Sequence, residues 1–144
     1  MARRLEARRI VLALTGLVFL FIAGASLLNP HAMARPLGYT LENTTALNEF
    51  RAIYVGLWLA HVVIFFWAAW RVDVVYLGDV AGLLLLGQVI GRALSLAIDG
   101  IPEMSIAPAA TAEALGTILV FALRPTSSHG RAARVNASTS STDS

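Results

Sequence analysis

Cysteine and lysine are both missing from these 144 residues, and charged side chains of any kind make up only 14% of them. The absence of cysteine excludes disulfides, thiol catalysis and cysteine-ligated metal centres. Without lysine, all eleven basic residues are arginine, a usage that suggests a GC-rich bacterial genome. The scarcity of charge excludes more, because a soluble domain carries roughly a quarter charged residues. With 57% hydrophobic residues and a mean hydropathy of +0.69, lipid is the expected solvent. The arginines stand in short clusters rather than on one continuous basic face, which fits membrane topology and argues against a nucleic-acid partner.

What the chain does have is four apolar runs, at about 10–28, 52–70, 80–98 and 106–123. Each approaches the ~20 residues that cross a hydrocarbon core of ~30 Å. Each is apolar around its whole circumference, with none of the wide polar stripe of a soluble amphipathic helix. The expected fold is an all-α membrane protein, a bundle of four transmembrane helices spanning residues 1–124. Residues 125–144, rich in Ser, Thr, Ala and Arg, are expected to form a disordered cytoplasmic tail.

Topology follows from the arginines. Arg3, Arg4, Arg8 and Arg9 precede the first run, Arg71 lies between the second and third, and Arg124, Arg131 and Arg134 follow the fourth. The positive-inside rule makes all three regions cytoplasmic and requires an even number of crossings. The expected location is therefore the bacterial cytoplasmic membrane, with membrane lipids as partners. Loop 29–49 then lies outside and has room for a short surface helix, while 99–105 is a tight turn marked by Asp99-Gly100-Ile101-Pro102. Ala32-Met33-Ala34 resembles a leader-peptidase site, but an apolar run of ~19 residues exceeds the 7–15 of a signal peptide, so the first run is read as a span.

Two charges break the apolar runs: Arg92 in the third and Glu113 in the fourth. Charge at such depth is costly and is usually paired. At ~1.5 Å per residue, His61 and Gln88 fall near the midplane, with Arg92 and Glu113 within ~5 Å of it on the outer side. On the third run, Gln88, Arg92, Ser95 and Asp99 recur at helical spacing as one polar stripe. Arg92 can pair inward with Glu113 or reach outward to Asp99. Glu49, Arg51 and Tyr54 add polar groups at the outer start of the second run, where Arg51, Tyr54, Trp58 and His61 are expected to share a face.

These nine residues, Glu49, Arg51, Tyr54, His61, Gln88, Arg92, Ser95, Asp99 and Glu113, form the candidate ligand-binding path, open to the outside. Its plainer reading is an ion pair that locks the third helix to the fourth. A proton or ion path and a lipid-modifying enzyme are further alternatives. No nucleophile stands beside a base, and no phosphate loop or metal-ligand spacing is present, so no catalytic residue, metal or cofactor is assigned. Gly78 with Gly82 and Gly87 with Gly91 are G-x-x-x-G pairs on or entering the third run, suited to close helix packing within one chain or in a homo-oligomer.

The residues Asn48-Glu49-Phe50-Arg51-Ala52-Ile53-Tyr54 with Gly56, Gly91-Arg92 with Ser95, Asp99-Gly100, and Glu113 resemble those of a bacterial four-span family, domain of unknown function 4345. The resemblance runs from about Asn48 to Leu123. It implies a four-helix membrane protein and supplies no reaction. Val55 and Ala60 stand where that family often has glycine.

Overall fold

The computed structural model describes residues 2–102 and 106–125. Among the described residues there is helix and no strand. The helices are α1 (Ala2–Leu28), α2 (Pro30–Ala34), α3 (Thr44–Arg51), α4 (Trp58–Trp70), α5 (Val75–Asp99) and α6 (Ala107–Ala122). A π-helical stretch, Ala52–Leu57, joins α3 to α4, so that Thr44–Trp70 runs as one helix. Three helices are long and apolar enough to cross a membrane: Ala2–Leu28, Thr44–Trp70 and Val75–Asp99. The fourth expected span is the 16-residue α6. At ~1.5 Å per residue it reaches about 24 Å, short of a ~30 Å core.

The helices outrun the apolar segments from which they were expected. Helix α1 begins eight residues before position 10, taking in the arginine cluster, because arginine is a good helix former. The loop after α1 folds locally, as expected. The Asn29 side chain accepts a hydrogen bond from the Ala32 amide at 3.2 Å to cap α2, and Pro30 occupies its first turn. The Asn43 carboxamide oxygen accepts from the Ala46 amide at 2.9 Å and starts α3. Gly38, at φ +74°, ends the intervening 3-10 turn in the left-handed region. The expected tail lies outside the described residues apart from Pro125, as do positions 103–105 of the tight turn.

Helix α1 packs mainly on α4, and α5 on α6 and α4. The buried residues of α1 are Arg8, Leu12, Gly16, Phe19, Ala23 and Ser26, a single stripe at three- and four-residue spacing. Gly16 permits close approach to α4, since a Cβ there would stand 3.2 Å from the Phe65 Cβ. The core gathers Leu12, Phe19, Val62, Phe65, Ala68, Ala69, Val72, Ala81, Leu85 and Val120. Phe21, Leu28, Trp70 and Ile98 are among many large apolar side chains left exposed, the surface expected of helices solvated by lipid.

The first glycine pair of α5 works inside the chain. A Cβ at Gly78 would lie 2.7 Å from the Arg8 Cζ, and one at Gly82 would lie 2.9 Å from the Phe121 Cζ. Gly78 thus makes room for a guanidinium from α1, and Gly82 for α6. The second pair, Gly87 and Gly91, meets nothing within 4 Å. Its bare backbone faces open space instead of a neighbouring helix.

Candidate functional site

Arg92 and Glu113 stand six to seven residues from the facing ends of α5 and α6, so a rise of ~1.5 Å per residue puts both roughly 10 Å into the bundle. They meet there as a two-pronged pair, with Arg92 Nε donating to Glu113 Oε2 at 2.5 Å and Nη2 to Oε1 at 2.9 Å. This fork-on-carboxylate geometry is the one arginine is built for. The Glu113 side chain is 12% exposed and that of Arg92 34%. Of the two partners open to Arg92, the inward one is taken. Asp99 instead accepts a hydrogen bond from the Ser95 hydroxyl at 3.0 Å, and both residues are exposed.

The pair forms one wall of a cavity of about 450 Å³. Tyr54, His61, Gln88, Arg92 and Glu113 all line it, so five of the nine expected residues, from three helical segments, share one space. Gly87 and Gly91 line it too, their missing side chains leaving α5 backbone as a wall. The remaining four are placed elsewhere. Ser95 and Asp99 continue the α5 stripe beyond the cavity lining, and both are exposed. Arg51 is exposed and lines neither this cavity nor the one beside it, because the π-helical turn just after it takes more residues per turn than an α-helix and rotates it off the face of Tyr54 and Trp58. Glu49 lines a second, adjoining cavity.

Within the first cavity the polar groups differ in how far they are satisfied. His61, buried against Phe19 at a ring-centroid distance of 5.2 Å, donates from Nδ1 to the Leu57 carbonyl at 2.8 Å. That bond requires a proton on Nδ1, and in the neutral ring Nε2 is then an acceptor. Gln88 is less satisfied, since its Oε1 is buried without a partner among the described residues. A buried acceptor left unpaired costs about 1–3 kcal/mol and marks a place where a further donor fits. Tyr54 is held by an aromatic ladder along its own helix, stacked on Phe50 at 4.5 Å and tilted to Trp58 at 5.4 Å. Trp58 in turn meets Phe19 of α1 edge-on at 5.2 Å.

A second charged cluster, not anticipated from the sequence, closes the opposite end of the bundle. Arg8, 1% exposed, donates to Asp79 Oδ1 at 2.7 Å and to the Val75 carbonyl at 3.3 Å. Arg124 donates to the other oxygen of Asp79 at 2.9 Å. One carboxylate thereby ties the start of α1, the first turns of α5 and the chain just after α6. From the sequence alone Arg8 has only a topological role. The signal is its register, one turn before Leu12 and two before Gly16 on the buried stripe of α1.

Among the described residues, no group of three or more His, Cys, Asp or Glu stands close enough to hold a metal ion. No curated protein and no solved structure matches this chain. A family model described as "Domain of unknown function (DUF4345)" matches residues 7–124. That stretch takes in α1 almost from its start, the cavity and both charged clusters, and the chain belongs to this family.

Proposed function

We propose that this chain is a non-enzymatic protein of the bacterial cytoplasmic membrane whose 450 Å³ cavity receives a lipid headgroup or a small polar ligand from the outer side. In this reading α1, Thr44–Trp70, α5 and α6 all cross the membrane, and both termini are cytoplasmic. The short α6 is accommodated by local thinning of the bilayer at modest cost. The end bearing loop 29–49 then faces outward, and the Arg8–Asp79–Arg124 cluster lies at the inner interface.

The observation that carries the proposal is Gln88. Its unpartnered Oε1 borders a cavity that already gathers Tyr54, His61 and the Arg92–Glu113 pair. A ligand hydroxyl, amine or ordered water there would recover the missing hydrogen bond. Native mass spectrometry of the full chain, released gently from detergent, should show a retained molecule in the wild type. Gly91→Leu, which projects a side chain into the open space beside Gly91, should abolish retention. Equal retention by both proteins would overturn the proposal.

A transporter is the second reading, favoured by the presence of His61 and Glu113, two groups able to exchange protons, in the same cavity. It requires an exit at the inner end, where Arg8, Asp79 and Arg124 are linked and Ala81 and Leu85 are buried. Transport would therefore involve opening that cluster. Proton-coupled efflux in vesicles, absent in Glu113→Gln, distinguishes it from simple binding.

A further inference from the structure

The second cavity, of about 570 Å³, lies beneath residues 38–41 and adjoins the first, with Ile53 and Tyr54 bordering both. Its walls include Tyr39, Glu49, Phe50 and Tyr54. The charge balance of the two cavities together is unequal. In the deeper one Arg92 and Glu113 neutralise each other, and Gln88 is neutral. In the shallower one Glu49 is exposed and takes part in none of the ion pairs among the described residues. Arg51, the cation nearest to it in the chain, lines neither cavity. Among the described residues, the combined space carries one uncompensated negative charge.

Three aromatic rings line the same cavity as that charge. Phe50 and Tyr54 stack at 4.5 Å, and Tyr39 meets Tyr54 edge-on at 6.3 Å. Aromatic faces are electron-rich and attract cations within about 6 Å, which is how quaternary and primary ammonium groups are held in aromatic cages. A carboxylate beside such rings repels phosphate and attracts an organic cation. The paired Arg92 offers an anion little net charge to offset that repulsion, since its fork is already occupied by Glu113.

We infer that the two cavities are halves of one site whose ligand carries an ammonium group. The ammonium rests between Glu49 and the rings of Tyr39 and Tyr54, and an uncharged hydroxyl or ester portion extends past Tyr54 toward Gln88 and His61. This rests on the reading that the deeper cavity takes a ligand, and adds the chemical class. Two sources supply the same chemistry: the headgroup of an amine-bearing phospholipid, or a water-soluble alkylammonium.

The full chain supplies its own reporter. The sequence has three tryptophans, and replacing Trp67 and Trp70 by Phe leaves Trp58, 5.4 Å from Tyr54. Titration in detergent with ethanolamine and with tetramethylammonium tests the soluble source, with inorganic phosphate as the opposing probe. Native mass spectrometry from bilayers containing equal phosphatidylethanolamine and phosphatidylglycerol tests the lipid source. The expectation is a saturable Trp58 response to ammonium and none to phosphate, or retention of phosphatidylethanolamine over phosphatidylglycerol.

Glu49→Gln should weaken either signal at least tenfold, and Tyr39→Ala severalfold. The Glu49 side chain makes no hydrogen bond among the described residues, so its loss leaves the fold intact, as circular dichroism will verify. Preference for phosphate or phosphatidylglycerol, wild-type binding by Glu49→Gln, or no response to any probe overturns the inference. If Gly91→Leu releases a retained molecule while Glu49→Gln keeps it, the deeper site stands and the ammonium assignment falls. If neither substitution has an effect, both fall.

Discussion

Replacing Asp79 by Asn removes the charge that holds two arginines and should destabilise the fold more than removing Arg124, its exposed partner. Arg8 is 1% exposed, and in the variant its guanidinium would face a neutral carboxamide instead of a carboxylate, beside its 3.3 Å bond to the Val75 carbonyl. Its Nε already lacks a partner. Removing one member of a buried pair costs ~3–5 kcal/mol. Asp79 is itself 23% exposed, so solvent screening brings the expected loss to about 3 kcal/mol. Arg124 holds the same carboxylate but is 55% exposed, and Arg124→Ala should cost at most ~1 kcal/mol. Arg8→Leu combined with Asp79→Leu should restore much of the stability, because no buried charge is then left alone. Reversible unfolding in mixed detergent–SDS micelles, followed by circular dichroism, measures all four proteins. An Asp79→Asn protein within ~0.5 kcal/mol of wild type, or an Arg124→Ala protein as unstable as Asp79→Asn, would refute the argument that burial of Arg8 sets the cost.

At the other cluster, Arg92→Leu or Glu113→Leu alone should lose about 2 kcal/mol, and the double variant should recover part of it; strictly additive losses in thermal unfolding would show that the two groups are not coupled. The glycine pairs of α5 should behave oppositely. Gly82→Ala meets Phe121 and Val120 at 2.9–3.0 Å and should cost roughly 1–3 kcal/mol, whereas Gly87→Ala, with open space before it, should be neutral or gain up to ~1 kcal/mol from helix propensity. If a second copy docks on the Gly87 and Gly91 face, Gly91→Leu should instead lower the mass seen by sedimentation in detergent. For topology, single cysteines at Ser95 and Tyr54 should react with an impermeant thiol reagent added outside, and one at Asp73, in the exposed turn between α4 and α5, should react only from the inside. External labelling at position 73 would reject the four-crossing arrangement.

The amino-acid sequence by itself determined the all-helical class, the positions of the long apolar helices and the identity of the buried ion pair. These are local or one-dimensional properties. Apolar runs near 20 residues require a helix in lipid, and a charge inside such a run requires a partner at its own depth, which counting along two neighbouring spans locates.

Only the tertiary structure decided which polar groups share a space. The π-helical turn Ala52–Leu57 shifts the register between Arg51 and the face that follows, and helical periodicity read from the sequence assumes an unbroken α-helix. The bare backbone of Gly87 and Gly91 became a cavity wall while the identical spacing of Gly78 and Gly82 became packing, because a missing side chain acquires a role only from what stands opposite it. Arg8 makes the same point for charge. Beside three other arginines it reads as a topology signal. Its burial against Asp79, 71 positions away along the chain, depended on α1 and α5 being brought together, with Gly78 leaving the space.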